Sequence, residues 1–229
     1  MTRFITSLKP VTDPSELSIL ILGSELTPRK KGHGPKSLIQ VGKKFNVIET
    51  QLDSIKTIYP NSHITLITGY MSQQIVNKGY NVSIIENPFY AETSQVEDIR
   101  LGLNAIRSNK VLILNGDLVF DAAALMTTKG KSSSVMYDEV DKTPDTVGLT
   151  HNNDVAETLA YGLKTHWCYT LLAEGRELDL LRKFARNKER SKLTFYEAVN
   201  AVLQSGGLIR TMSVNGLLYR AESRLKPTV

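Results

Sequence analysis

The stretch "SILILGSELTPRKKGHGPKSL" (18–38) decides the fold. Its first five residues form a short apolar run that reads as a strand, and a run apolar on both faces belongs in the middle of a covered sheet. The run stops at Gly23. A basic loop follows, carrying Arg29, Lys30, Lys31 and Lys36 among the glycines Gly32 and Gly34. Open α/β sheets bind ligands where loops leave the carboxyl ends of their strands. The loop is therefore either a phosphate-binding connection or an ordinary solvated turn, and the rest of the chain has to decide.

Working outward, "HITLIT" (63–68), "NVSII" (81–85) and "KVLILN" (110–115) read as further strands, with helices between them. "NVIETQLDSIKTIY" (46–59) places Val47, Gln51, Leu52, Ile55 and Ile58 at helical spacing, with Asn46 and Glu49 as cap and return contact. "SQVEDIRLGLNAIRS" (94–108) sets Val96, Ile99, Leu103 and Ile106 on one face, with Ser94 and Glu97 as its capping box. This β–α–β alternation predicts an α/β fold of three α/β/α layers around a mixed, mostly parallel sheet. The later half is less regular. Strands are expected over 132–138, 166–172 and 208–214. Helices are expected over 174–187 and 194–207, the second starting at Thr194 with Glu197 and stopping at Gly206 and Gly207. There is no linker, low-complexity tract or fixed-period repeat, so residues 1–229 are expected to form a single domain with 1–17 as an N-terminal extension.

The composition, 41% hydrophobic and 22% charged over 229 residues, is that of a globular protein and excludes a disordered one. The net charge of +5 favours anionic ligands. No element carries the dense basic stripe that would make nucleic acid the partner. Cys168 is the single cysteine, which excludes an intrachain disulfide, and its apolar setting reads as core. The N-terminus lacks a signal-type apolar region, and no run approaches the ~20 residues of a membrane span. The expectation is a cytoplasmic protein that does not contact membrane.

Three stretches carry chemistry. Lys36 follows Pro35, which stiffens the step, and a lysine so held acts as a point charge on a phosphate. Neither the Walker spacing nor G-x-G-x-x-G is present. "VLILNGDLVFD" (111–121) ends a buried strand in Asn115-Gly116-Asp117 on the same sheet edge. A carboxylate there suits Mg²⁺; a turn or N-cap aspartate is the alternative. "ENPFYAETSQVEDIRLGL" (86–103) gathers Thr93, Ser94 and Gln95 at a helix start, fit to grip a base or ribose, or simply to cap. The four histidines are scattered without metal-ligand spacing, and Ser24 and Ser37 lack a neighbouring base. Trp167 and Tyr161 read as acceptor-pocket walls or as core, and "YDEVDKTPD" (137–145) as a flap or a solvated loop.

In this order "GPKSL", "VIETQLDSI", "ITLITGY", "NPFYAETSQVEDIRLGL", "VLILNGDLVF" and "FYEAVNAVLQSGG" resemble the nucleotidyltransferase family with the glycosyltransferase-A type fold. That family includes sugar-phosphate nucleotidyltransferases and phosphocholine cytidylyltransferases, and the likeness runs from about Ser18 to Val214. It implies a Rossmann-like fold of the nucleotide-diphospho-sugar transferase type. It implies transfer of a nucleotide from an NTP to a phosphate-monoester acceptor, release of pyrophosphate, and Mg²⁺ as cofactor. Lys36 and Asp117 would be catalytic. Gly23, Ser24, Arg29, Thr93, Ser94 and Gly116 would join Lys36 around the NTP, Lys164 and Trp167 would meet the acceptor, and Asp117 with Asn215 would hold the metal. The chain departs from the pattern twice. The family loop A-A-G-x-G-[ST]-R is replaced by "LILGSELTP", with Glu25 or Leu26 near the usual arginine. The late metal-binding aspartate is replaced within "SVNGLLYRAES", where Asn215 and Glu222 are the nearest candidates. Two rival readings stay open: a glycosyltransferase of the same fold, opposed by Leu118 and Val119 in place of an Asp-x-Asp motif, and a catalytically degenerate nucleotide-binding relative.

Overall fold

In the computed structural model, which describes residues 17–25, 34–139 and 146–221, the opening strand β1 (Leu17–Gly23) lies inside the sheet. Ile19, Leu20 and Ile21 are 0% exposed and Leu22 is 2% exposed. Successive strand side chains point to opposite faces, so burial of four in a row requires cover on both. The chain continues through a small hairpin, β2 (Gln40–Val41) and β3 (Phe45–Asn46), into α1 (Val47–Ile58), β4 (His63–Thr68), α2 (Ser72–Val76), β5 (Ser83–Glu86), α3 (Gln95–Ala105) and β6 (Lys110–Asn115). Then come β7 (Leu118–Phe120), α4 (Ala122–Met126), β8 (Ser134–Asp138), β9 (Val147–Asn152), β10 (Val155–Tyr161), β11 (Thr165–Trp167) and β12 (Thr170–Glu174). The last elements are α5 (Gly175–Ala185), α6 (Phe195–Gln204), β13 (Arg210–Ser213) and β14 (Leu218–Arg220).

The large sheet has the order β11-β9-β10-β13-β8-β12-β6-β1-β4-β5. From β6 to β5 every pairing is parallel. Beyond β6 the pairings are antiparallel except β8 with β13. β11 also pairs with β8, so that five strands close on themselves. One helix group is α1 with α4; the other is α3 with α5 and α6. Together with the sheet they give the three expected layers. No helix of the described residues is long and apolar enough to cross a membrane.

Local signals explain most of the boundaries. The Asn46 side chain accepts from the Glu49 N–H and the Glu49 carboxylate accepts from the Asn46 N–H, both at 3.0 Å, so the expected capping box opens α1. At α6 the Glu197 carboxylate accepts from the Thr194 N–H and hydroxyl, both at 2.7 Å. The box expected at 94–97 does not form. Ser94 is the N-cap of α3 by position, but Glu97 is drawn onto Arg100, which donates to it at 2.5 and 2.8 Å. The strand expected over 166–172 is two strands, because the chain turns at Tyr169, whose φ is 52°. The hairpin β9–β10 has no counterpart in the sequence reading. Its turn, Asn153-Asp154 with both φ positive, is the type that matches strand twist.

From β1 the chain moves to β4 and β5 on one side, then returns through α3 to β6 on the other. Strand order reverses between β1 and β6, and ligands of wound sheets bind in the crevice outside the carboxyl ends at such a reversal. Gly116 closes that crevice from below. Its N–H donates to the Leu22 carbonyl at 2.7 Å, and a Cβ placed on it would stand 2.7 Å from that oxygen and 2.9 Å from the Gly23 Cα. Both obstacles are backbone. Gly116→Ala is expected to destabilise the protein by about 1–3 kcal/mol in urea unfolding; wild-type stability would show that the two strand ends can move apart freely.

Candidate active site

Asp117 leaves the tip of β6 and is 1% exposed. A buried carboxylate has to be paired, and this one is. Its Oδ1 accepts from Asn115 Nδ2 at 2.9 Å, and its Oδ2 accepts from Arg220 Nε at 2.8 Å and Nη2 at 2.5 Å. Arg220 arrives through β14, which pairs antiparallel with β7 and sets Arg220 opposite Leu118. The next N–H, of Ala221, donates to the Asp117 carbonyl at 2.8 Å. The helices hold the same turn. From α1, buried Gln51 donates to the carbonyls of Asn115 and Leu118 at 2.9 Å each. From α3, Gln95 donates to Asn115 Oδ1 at 3.1 Å and accepts from the Phe195 N–H of α6 at 2.9 Å.

Arg220 keeps 26% of its side chain exposed, and its guanidinium lies 4.7 Å over the Tyr169 ring. Burial works against its charge, but the charge and hydrogen bonds of Asp117 outweigh burial and raise its pKa above the ordinary arginine value. The charge of Glu25, two residues past the end of β1, acts in the same direction. Glu25 is also ion-paired with Lys36 at 3.3 Å. Glu25 thus pairs with Lys36, and its charge also favours the Arg220 guanidinium. Arg220→Met leaves Asp117 buried and unpaired, with an expected loss of about 3–5 kcal/mol in guanidinium chloride unfolding. Adding Asp117→Asn removes that charge and should restore most of the loss; a double variant as unstable as Arg220→Met would show that packing, not charge, holds the contact.

A second buried acid organises the neighbouring loops. Asp98, on the first turn of α3, is 0% exposed. It accepts from the Ser24 hydroxyl at 2.6 and 2.7 Å, from the Ser24 N–H at 3.4 Å and from Asn87 Nδ2 at 2.9 Å. Asn87 also donates to Thr93 Oγ1 at 3.1 Å and accepts from the Phe89 N–H at 3.0 Å. One carboxyl thus ties the glycine loop after β1 to the 87–94 loop before α3. Burial pushes it from the ordinary 3.8 up to about 7, against the hydrogen bonds of Ser24 and Asn87, which pull it down; the Glu25 charge adds to the rise. A carboxyl with a raised folded pKa keeps its proton in the native state where the unfolded chain releases it. Its contribution to stability is therefore complete below 3.8 and is lost as pH rises to about 7. Asp98→Asn is expected to flatten that fall in urea-unfolding stability between the two values; an unchanged slope would assign it to another group.

No family model and no curated protein matches the chain. Solved structures do. A CTP:phosphocholine cytidylyltransferase from Streptococcus pneumoniae is 15% identical, with a TM-score of 0.73 over 90% of this chain and 93% of that one. The inositol-1-phosphate CTP transferase from T. maritima is 12% identical, with a TM-score of 0.72 over 94% and 93%. HddC from Yersinia pseudotuberculosis, solved with GMP-PN, is 14% identical, with a TM-score of 0.66 over 89% and 93%. The chain has the nucleotidyltransferase fold. At these identities the likeness is one of architecture, and the site has to be read from this chain's own residues.

Within the nucleotidyltransferase fold, Gly23, Ser24, Gly116 and Asp117 meet at the ends of β1 and β6, and Lys36 joins them through Glu25. Thr93 donates to the Phe89 carbonyl at 2.7 Å, and the Ser94 N–H donates to the Ser191 carbonyl at 2.8 Å, so both shape the 87–94 loop. Lys164 is exposed on the bend between β10 and β11. Trp167 offers no wall to an acceptor. It is 0% exposed, donates to the Thr170 carbonyl at 3.0 Å and packs on Tyr169 and Phe195, so its role is core. Tyr161 is 58% exposed, with its ring against Tyr196. Asn215 stands at φ 48° on the turn between β13 and β14, and its Oδ1 accepts from Ser213 Oγ at 2.8 Å. Leu26, Arg29, Lys30, Lys31, Gly32, His33, Glu222 and residues 140–145 of the acidic stretch lie outside the described residues.

The residues present do not fit a divalent ion held on Asp117. Both of its oxygens accept from side-chain donors, one of them cationic, and among the described residues no three His, Cys, Asp or Glu side chains are gathered to hold a metal ion. Asp98 and Arg220 escaped the sequence reading. Asp98 stands with Glu97 in a helix's first turn, where acids usually complement the dipole. Arg220 acquires its role only from the pairing of β14 with β7.

Proposed function

We propose that the protein is a nucleotidyltransferase that moves a nucleoside monophosphate from an NTP to a small phosphorylated acceptor, a sugar 1-phosphate or a phosphocholine-like monoester, and releases pyrophosphate. The observation that carries the reading is the two ion-paired cations, Lys36 on Glu25 and Arg220 on Asp117, at the carboxyl ends of β1 and β6. The activities of the cytidylyltransferase and the inositol-1-phosphate CTP transferase support it within the shared fold.

The chemistry asks little of proton transfer. An acceptor phosphate oxygen attacks the α-phosphorus in line, the bond to the bridging oxygen breaks, and pyrophosphate leaves. The second pKa of a phosphate monoester is about 6, so the attacking oxygen is already ionised near neutrality and needs no general base. What remains is positioning and charge neutralisation, the work of Lys36 and Arg220. A glycosyltransferase reading is opposed by Leu118 and Val119, which are buried in β7 where a second carboxylate would be needed. The Arg220 contact on Asp117 favours one other reading, a relative that binds nucleotide without transferring it.

The test is pyrophosphate release across the common NTPs against sugar 1-phosphates and phosphocholine. Release with a particular pair is expected, reduced about 10²–10³-fold by Lys36→Ala. Nucleoside diphosphate as the product would replace this reading with a glycosyltransferase. Nucleotide binding with no release across the panel would replace it with the binding relative.

A further inference from the structure

We infer that Arg220 is the phosphate-facing cation of this site and Asp117 its seat, so that a nucleotide polyphosphate binds without a divalent ion held on the protein. This rests on the nucleotide reading above and says how that site takes its ligand.

Three observations carry it. Arg220 directs Nε and Nη2 onto the one oxygen Oδ2, while Asn115 engages Oδ1, so the carboxylate is covered on both sides. Exposure is unequal: Asp117 is at 1% and Arg220 at 26%. What the pair shows to solvent therefore belongs to the Arg220 side chain and not to the carboxylate. The guanidinium also rests on the Tyr169 face at 4.7 Å, which fixes its plane. Arginine so held is a preorganised donor, suited to phosphate and geometrically unlike a lysine. A divalent ion on Asp117 would have to stand beside that fixed positive charge in a partly buried site, where repulsion is poorly screened.

The two departures from the family pattern then become one. Glu25 carries a negative charge near the position where the resemblance implies a loop arginine. Arg220 carries a positive charge on the last strand, in the stretch where it implies a carboxylate. The signs are exchanged, and Glu25 acts favourably on both Lys36 and Arg220. Glu25 lends its charge to hold the cations that the later strand and Lys36 present.

The test has two arms on the full chain. In the first, Mn²⁺ is titrated into nucleotide-free protein and free ion is read by electron paramagnetic resonance. No stoichiometric site is expected; one site lost in Asp117→Asn would overturn the proposal. In the second, a trinitrophenyl-labelled ATP, displaced by the common NTPs, is measured in EDTA and in Mg²⁺. Wild-type affinity is expected to agree between the two within about threefold, and Arg220→Lys to weaken it about tenfold to a hundredfold in both. Asp117→Asn/Arg220→Met, which removes both charges, should weaken it at least as much while circular dichroism stays native. Binding abolished by EDTA, or unaffected in both variants, sinks the proposal. Failure of every nucleotide to bind with or without metal overturns the nucleotide reading and the role given to Arg220, while the Mn²⁺ arm still decides Asp117 separately.

Discussion

A carboxylate with almost no surface in water must find its counter-charge inside the protein. For Asp117 that charge comes from Arg220, 103 positions along the chain. The requirement links parts of the fold that share no sequence neighbourhood. β14 has to pair with β7 in a single register for the guanidinium to reach Oδ2. Gln51 and Gln95 have to hold the Asn115 backbone and side chain for Oδ1 to be met as well. This edge of the sheet is therefore complete only when the last strand is in place. This differs from the ordinary wound sheet, in which the first strand, its loop and the next helix form the phosphate site by themselves.

The parallel half of the sheet was legible in the sequence because strands buried on both faces write themselves as apolar runs, as at 18–22, 63–68 and 110–115. The cap of α1 was legible because both of its partners lie within one turn. The box proposed for α3 failed through a competitor at the same range: Arg100 is one turn on, and a full ion pair outbids a neutral N–H for Glu97. The break at Tyr169 could not be read, since a positive φ on an aromatic residue is imposed by its surroundings and not by its propensity. The hairpin of 147–161 was missed because buried and exposed residues do not alternate cleanly along its strands. In the site, Gly23, Gly116 and Asp117 were legible as strand-end residues. Arg220 was not, because a three-residue ladder between distant strands leaves no mark in local pattern.

The loops around the site are shaped by hydrogen bonds more than by packing. Asp98 collects Ser24 and Asn87, and Asn87 in turn sets the course of the backbone at Phe89 and the hydroxyl of Thr93. All three polar groups at the centre of this cluster, Ser24, Asn87 and Asp98, are buried. A buried polar network specifies one arrangement, since each donor has a single partner that satisfies it. Ser24 at the end of β1 and the 87–94 loop are thus fixed to each other by folding itself.

Trp167 is the single tryptophan of the chain. Its ring stacks on Tyr169 at 4.8 Å, and the Arg220 guanidinium also meets the Tyr169 ring, at 4.7 Å. An indole sealed from solvent emits according to the charges and rings beside it. This one sits a single aromatic ring away from the Arg220 guanidinium. The protein therefore holds its single indole one ring away from the Arg220–Asp117 pair, where a change in that pair is read without a label.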